Sequence, residues 1–235
     1  MERRDLERLL STGTITVLGR IRGSSNQALL VELDGPEGSV HACYKAEAGE
    51  RALWDFPEGL WRREVAAYEL DRLAGTDLVP PTVARADAPF GPGSLQLWIE
   101  RAEDEHYFSL RGRVEHADFF ERLAAFDVVA NNADRKAGHI LLADGRLWAI
   151  DNGLCFHDED KLRTVIWDFA GQPISLAVRQ ALTSVLEADR SRLGALLSAS
   201  ELAGVGARAA ELLDAGRFPE PDEDADYPPY PWPLI

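Results

Sequence analysis

The segment Asn132-Ala133-Asp134-Arg135-Lys136-Ala137-Gly138-His139, followed by Leu147-Trp148-Ala149-Ile150-Asp151-Asn152-Gly153, constrains this chain more than any other part of it. A polar loop carries an aspartate, a second metal-capable side chain stands five residues on, and another aspartate caps an apolar strand. In phosphoryl transfer one carboxylate orients the attacking hydroxyl. A residue a few places later and an aspartate ending the next strand hold the ions that neutralise a triphosphate. The spacing points to an ATP-using transferase, in which a loop and a strand end meet over one cleft.

At 235 residues the chain suits one large domain or two small lobes around such a cleft. Its formal net charge of -15 opposes nucleic acid, where neutralisation of phosphates by Lys and Arg dominates affinity. It equally disfavours anionic membrane surfaces. No run of about 18 apolar residues suggests a membrane span, and the charged start Met1-Glu2-Arg3-Arg4-Asp5 has no apolar signal core. With only Cys43 and Cys155, the expectation is a cytoplasmic protein with both thiols reduced. GxSxG, HExxH and paired CxxC motifs are absent, and the five histidines lack zinc-ligand spacing.

Hydropathy patterning predicts a helix over 5–10 and strands over 14–21, 28–33 and 39–46. Leu60 to Ala74 should form a helix stopped by Gly75, and 79–83 and 95–99 should complete the sheet. A helix over 117–131 precedes the polar loop, followed by strands over 139–143 and 146–150 around Asp144-Gly145. Residues 175–215 read as helical, with Ser200 as N-cap and Gly216 as stop. The expected organisation is a β-rich lobe with one helix (1–100), a helical lobe with catalytic and metal-binding loops (101–218), and an acidic Pro-rich tail (219–235). Tyr227, Tyr230 and Trp232 would dock that tail.

Lys45 on the third strand suits an ammonium placed over triphosphate, with a surface lysine as the plainer alternative. Glu64 shares a helix face with Trp61 and Tyr68, and a carboxylate on that partly apolar stripe needs a partner; Lys45 is one and Arg63 another. Gly23-Ser24-Ser25 forms a small-residue turn able to aim N–H groups at phosphate oxygens, or an ordinary hairpin turn. Asp134 is the catalytic candidate; Arg135 beside it tunes its charge or holds the loop and is counted with Lys45 and Asp134 as catalytic. Asp127 reads as structural, accepting hydrogen bonds from the loop with Asn131 and Asn132. His139 stands equally as a metal ligand or as a satisfied interior histidine, and Asp151 is a metal ligand or a turn aspartate.

On these residues the chain resembles the phosphatidylinositol 3-/4-kinase-like catalytic domain, especially the type II phosphatidylinositol 4-kinases and an uncharacterised actinobacterial group within that superfamily. The likeness spans roughly 19–172 and rests on Gly23-Ser24-Ser25, Tyr44-Lys45, Asp127 with Asp134-Arg135, and Ala149-Ile150-Asp151-Asn152-Gly153-Leu154. It implies an α+β, two-lobed protein-kinase-like fold that binds ATP with Mg²⁺ or Mn²⁺. Lys45 would contact phosphates, Asp134 would be the catalytic aspartate and Asp151 the principal metal ligand, while Leu97, Trp98 and Ile99 would line the adenine pocket. The family usually has asparagine where His139 stands, and imidazole suits Mn²⁺ better than Mg²⁺. The palmitoylated cysteine-rich insert of the type II enzymes is missing, which with the acidic charge disfavours a lipid acceptor. The expectation is a phosphotransferase acting on a hydroxyl of a soluble protein or small molecule. The alternative is a nucleotide-binding pseudokinase, or a module transferring AMP, working through a protein partner.

Overall fold

The computed structural model describes residues 1–21, 27–102, 105–222 and 227–235. Helix α1 (Arg3–Thr12) buries Leu6, Leu9 and Leu10 along one face. It outlasts the expected 5–10 because the hydroxyls of Ser11 and Thr12 bond back to the carbonyls of Glu7 and Arg8 instead of breaking the helix.

Five antiparallel strands, β1 (Thr14–Arg20), β2 (Leu29–Gly35), β3 (Gly38–Ala46), β4 (Thr82–Arg85) and β5 (Gly93–Leu97), form one sheet in the order β1-β2-β3-β5-β4. Strand β4 starts only at Thr82, because Pro80 and Pro81 have no N–H to give to a ladder. Strand β5 begins at Gly93, earlier than expected. There the backbone of β3 passes so close that a β-carbon would lie 2.3 Å from the Lys45 carbonyl oxygen, and only glycine fits.

Helix α2 (Leu60–Ala74) has the expected bounds and ends on Gly75, whose φ of 67° is left-handed. No Ser, Thr, Asp or Asn caps its start. Instead the Glu50 carboxylate, from the preceding loop, accepts the N–H groups of Gly59, Leu60 and Trp61 at 2.5–3.0 Å.

The second half holds α3 (Tyr107–Leu110), α4 (Ala117–Ala130), the hairpin β6 (Ile140–Ala143) and β7 (Arg146–Ala149), then α5 (Leu176–Glu187), α6 (Ser191–Gly194) and α7 (Ala199–Ala215). Asp144 and Gly145, both at positive φ, make the tight turn of the hairpin. The expected helical stretch over 175–215 is therefore three helices. Ser198, not Ser200, caps the last one: its hydroxyl accepts the Glu201 N–H, and Glu201 accepts the Ser198 N–H at 2.8 Å.

Among the described residues two large apolar cores result, beside a small third cluster of Phe56, Leu60 and Ala133. One joins α1 to the sheet through Leu9, Leu10, Val31, Leu33, Tyr44 and Leu95. The larger one gathers α4, α5 and α7, and it takes in Ala66, Ala67 and Leu70 of α2 together with Leu78 and Val79. Helix α2 thus packs with the helical half although it lies within the first hundred residues. The acidic tail does dock, but not through the aromatics expected. Pro229 O accepts from Thr164 N and Trp167 Nε1, both at 3.1 Å, and Leu234 O accepts from Ala137 N at 2.8 Å. Pro229 and Pro231 are buried, whereas Tyr230 and Trp232 remain exposed; of the three aromatics only Tyr227 finds a partner, beneath the Arg163 guanidinium at 5.3 Å.

Candidate active site

Strand alternation sends Ala42 and Tyr44 into the sheet core and Lys45 to the opposite face. There the Lys45 ammonium bonds the Glu64 carboxylate of α2 and lies 2.8 Å from Asp151 Oδ1. Glu64 also accepts the Asn152 N–H at 3.0 Å, so one carboxylate ties β3 to the turn after β7. The local partner considered for Glu64, Arg63, pairs instead with Glu201 of α7. A small recess opens beside the pair, lined by Gln27, Gly49, Glu50, Trp61, Glu64 and Gly153 among others.

Asp151 occupies left-handed backbone at φ 58°, an uncommon position for a non-glycine residue and one maintained only by surrounding constraint. The constraint is visible. Arg135 grips both neighbours of Asp151, donating to Ile150 O at 2.8 Å and Asn152 Oδ1 at 2.6 Å. Its guanidinium also pairs with Asp127 at 3.0 Å, entirely out of solvent. Arg135 therefore cannot meet an acceptor, and its place among the catalytic candidates is corrected: it holds the loop. Asp127 has the structural role expected, accepting from Asn132 Nδ2, Arg135 Nε and Thr164 Oγ1. Asn131 contributes elsewhere, donating to the carbonyls of His157 and Glu159.

Arg135 and Thr164 form a parallel bridge, and both side chains point inward to Asp127. Alternation then puts Asp134 on the outer side of the same clasp, where its carboxylate meets Lys136 Nζ at 3.0 Å. Burial raises the Asp134 pKa above the ordinary aspartate value, against the opposing pull of Lys136. For Lys45, burial works against the charged form, but Asp151 and Glu64 more than reverse it and the ammonium is held charged. The Lys45 charge in turn keeps Asp151 well below the usual carboxylate range. Burial pushes His139 down to about 4, which leaves a neutral imidazole at physiological pH. His139 lies on the 3₁₀ turn Ala137–His139, one residue before the strand expected to contain it, with Nε2 3.4 Å from Asp151 Oδ2.

Lys45, Glu64, His139 and Asp151 therefore converge, and the loop carrying Asp134 is tied to them through Arg135. Leu97, Trp98 and Ile99 end β5 and begin the connection to the helical half, all partly buried. Gly23, Ser24 and Ser25 lie outside the described residues. Among the described residues no group of three or more His, Cys, Asp or Glu side chains forms a ready metal cage. Sequence reasoning missed Glu50, Asn152 and Thr164. Asn152 was visible only as a turn residue, and Thr164 stands in a stretch with no periodicity or motif.

No family model matches the chain. It is similar to Protein Rv2133c of Mycobacterium tuberculosis (strain ATCC 25618 / H37Rv), 38% identical over 272 aligned positions, covering 99% of this chain and 96% of the relative. Among solved structures it resembles hydra Fam20 with sugar, at TM-score 0.57 and 15% identity over 90% of this chain and 87% of that one. It also resembles the Golgi casein kinase with Mn/ADP bound, at 0.51 and 14% over 90% and 74%. The Helicobacter pylori proinflammatory kinase CtkA gives 0.51 and 14% over 89% and 94%. Such identities establish the fold alone: an α+β protein-kinase-like fold, with a β-sheet first lobe and a helical second region.

Proposed function

The chain belongs to the family of the mycobacterial Protein Rv2133c and has a protein-kinase-like fold, and we propose that it is an ATP- and divalent-metal-dependent phosphotransferase acting on a hydroxyl of a soluble protein or small molecule. One observation carries this reading: the Lys45 ammonium bridges a helix carboxylate, Glu64, and the strand-end carboxylate Asp151. Two acids on one ammonium, from three distant stretches of chain, are what positioning a triphosphate and its metal requires. The bound Mn/ADP of the Golgi casein kinase shows that the same fold accommodates such a ligand in that protein. Within this fold the motifs around Asp134-Arg135 and Ala149–Leu154 resemble those of the phosphatidylinositol 3-/4-kinase-like domain, while the net charge of -15 disfavours a lipid surface.

In this mechanism Lys45 binds phosphate oxygens, and Asp151 would hold the metal, which would supply neutralisation of the charge developing on the phosphates. Asp134 orients the acceptor hydroxyl and takes its proton as the oxygen bonds to the γ-phosphorus and the bond to the ADP oxygen breaks. Leu97, Trp98 and Ile99 receive the adenine at the lobe junction. Incubation of the purified protein with a cell lysate and either α- or γ-labelled ATP tests this. γ-Label on an acceptor, lost in Asp134→Asn, is expected. α-Label on protein would show AMP transfer instead, and nucleotide binding with no label from either would show a pseudokinase.

A further inference from the structure

Lys45 and Glu50 are five residues apart in the chain, and Leu60 and Glu64 are four apart. Two contacts turn these short stretches into a closed ring: Lys45 bonds Glu64, and Glu50 holds the start of α2. Both Glu50 oxygens take part. Oε2 accepts from Gly59 and Leu60 at 3.0 Å each, and Oε1 accepts from Trp61 at 2.5 Å. Gly59, at the cap position itself, has φ 85° and no side chain to offer. The loop that carries Glu50 is seated in turn. The Glu47 N–H donates to Pro92 O at 2.8 Å, and the Gln27 N–H donates to Gly49 O at 3.3 Å. A β-carbon on Gly49 would lie 3.3 Å from that of Gln27, so the loop packs closely on the chain entering β2. Glu50 therefore fixes how far α2 lies along its own axis relative to β3. Glu64 follows about one helical turn on, meeting Lys45 with one oxygen and the Asn152 N–H with the other.

Resting on the phosphotransferase reading for its ligand, we infer that Glu50 is a positioning residue for the triphosphate site. It acts through α2 and Glu64 on Lys45 and on the turn that holds Asp151. Glutamine cannot replace it. The amide has one acceptor oxygen, and its NH₂ group would face a helix N–H, donor against donor. The negative charge that a helix N-terminus favours is lost as well.

Two measurements on the full chain carrying Glu50→Gln test this. Glu50→Asp, which keeps both acceptor oxygens on a shorter arm, takes its place if the glutamine variant does not fold. The first measurement needs no nucleotide. Amine labelling read by peptide mass spectrometry follows Lys45, with Lys136 and Lys161, the other lysines of the chain, as internal references. Lys45 should label roughly fivefold faster in the variant, the scale on which a lost helix cap shifts a local equilibrium, with the references unchanged. An unchanged Lys45 rate, or the same acceleration at all the lysines, overturns the inference. The second is a double-mutant cycle on ATP affinity in the presence of Mg²⁺ or Mn²⁺. Glu50→Gln should weaken binding by a similar factor in the wild type and add nothing in the Glu64→Gln background. The same loss in both backgrounds would show that Glu50 does not act through Glu64, and overturns the inference. A chain that binds no ATP sinks the phosphotransferase reading, while the labelling still decides the role of Glu50.

Discussion

Lys45 and Glu64 illustrate why the site's charged side chains depend on one another. Glu64 is nearly inaccessible and Lys45 mostly so, which means neither tolerates loss of its partner. Lys45→Met should cost about 3–5 kcal/mol of stability, the scale for stranding a buried charge. The double variant Lys45→Met, Glu64→Leu should regain much of that, as measured by urea unfolding; equal losses in the single and double variants would contradict the pairing. Asp134 makes a different prediction. As the proposed base it must be ionised to take a proton, and burial raises its pKa. The rate should therefore fall on the acid side, with a midpoint above that of an ordinary aspartate. Removing the ammonium that opposes this, in Lys136→Met, should move the midpoint further up. A midpoint that moves down, or does not move, would mean another group governs the limb.

The loop carrying Asp134 and the turn at Asp151 are held by one buried cation. Arg135→Ala leaves Asp127 without its charge partner and frees Ile150 O and Asn152 at once. A loss of about 3–5 kcal/mol is expected, read as a lowered urea midpoint with an unchanged slope. How far these elements were legible in the sequence differs by cause. Helix α2 was readable to the residue because Gly75 supplies an unambiguous stop. The hairpin β6–β7 was readable from Asp144-Gly145. The start of α7 was misplaced by two residues because both Ser198 and Ser200 are cap-forming types; only the reciprocal bond with Glu201 decides. Of the candidate residues, Lys45, Glu64, Asp134 and Asp151 were named from spacing and helix face, and the structure brings Lys45, Glu64 and Asp151 together. Arg135 was visible but its direction was not, since side-chain facing in a loop is set by the bridge to Thr164, a partner 29 residues away. The clamp of Glu50 on α2 left no signal at all, because it comes from outside any capping pattern.

At the level of the whole molecule, α2 is the piece that joins the two halves. Through Glu64 it meets Lys45 and Asn152, through Arg63 it pairs with Glu201, and its Ala66, Ala67 and Leu70 enter the larger core. The Lys45–Glu64 ion pair thus ties strand β3 of the sheet to a helix packed into the helical half. Hydrogen exchange should show α2 amides protected as strongly as those of α4 and well above those of the exposed edge strand β1. Protection of α2 matching β1 would mean the helix moves with the sheet. Residues 157–172 are ordered by scattered contacts, including Tyr107 with Asp168 and Trp167 with Pro229, and not by any repeating pattern. The most direct test of the central claim, that these side chains assemble around a triphosphate and its metal, is calorimetric titration of ATP into the full chain with and without Mg²⁺ or Mn²⁺. Binding that needs the metal, and that weakens at least tenfold in Asp151→Asn and in Lys45→Met where the variants remain folded, is the expected result. Absence of binding under either metal, or affinity indifferent to both substitutions, would contradict it.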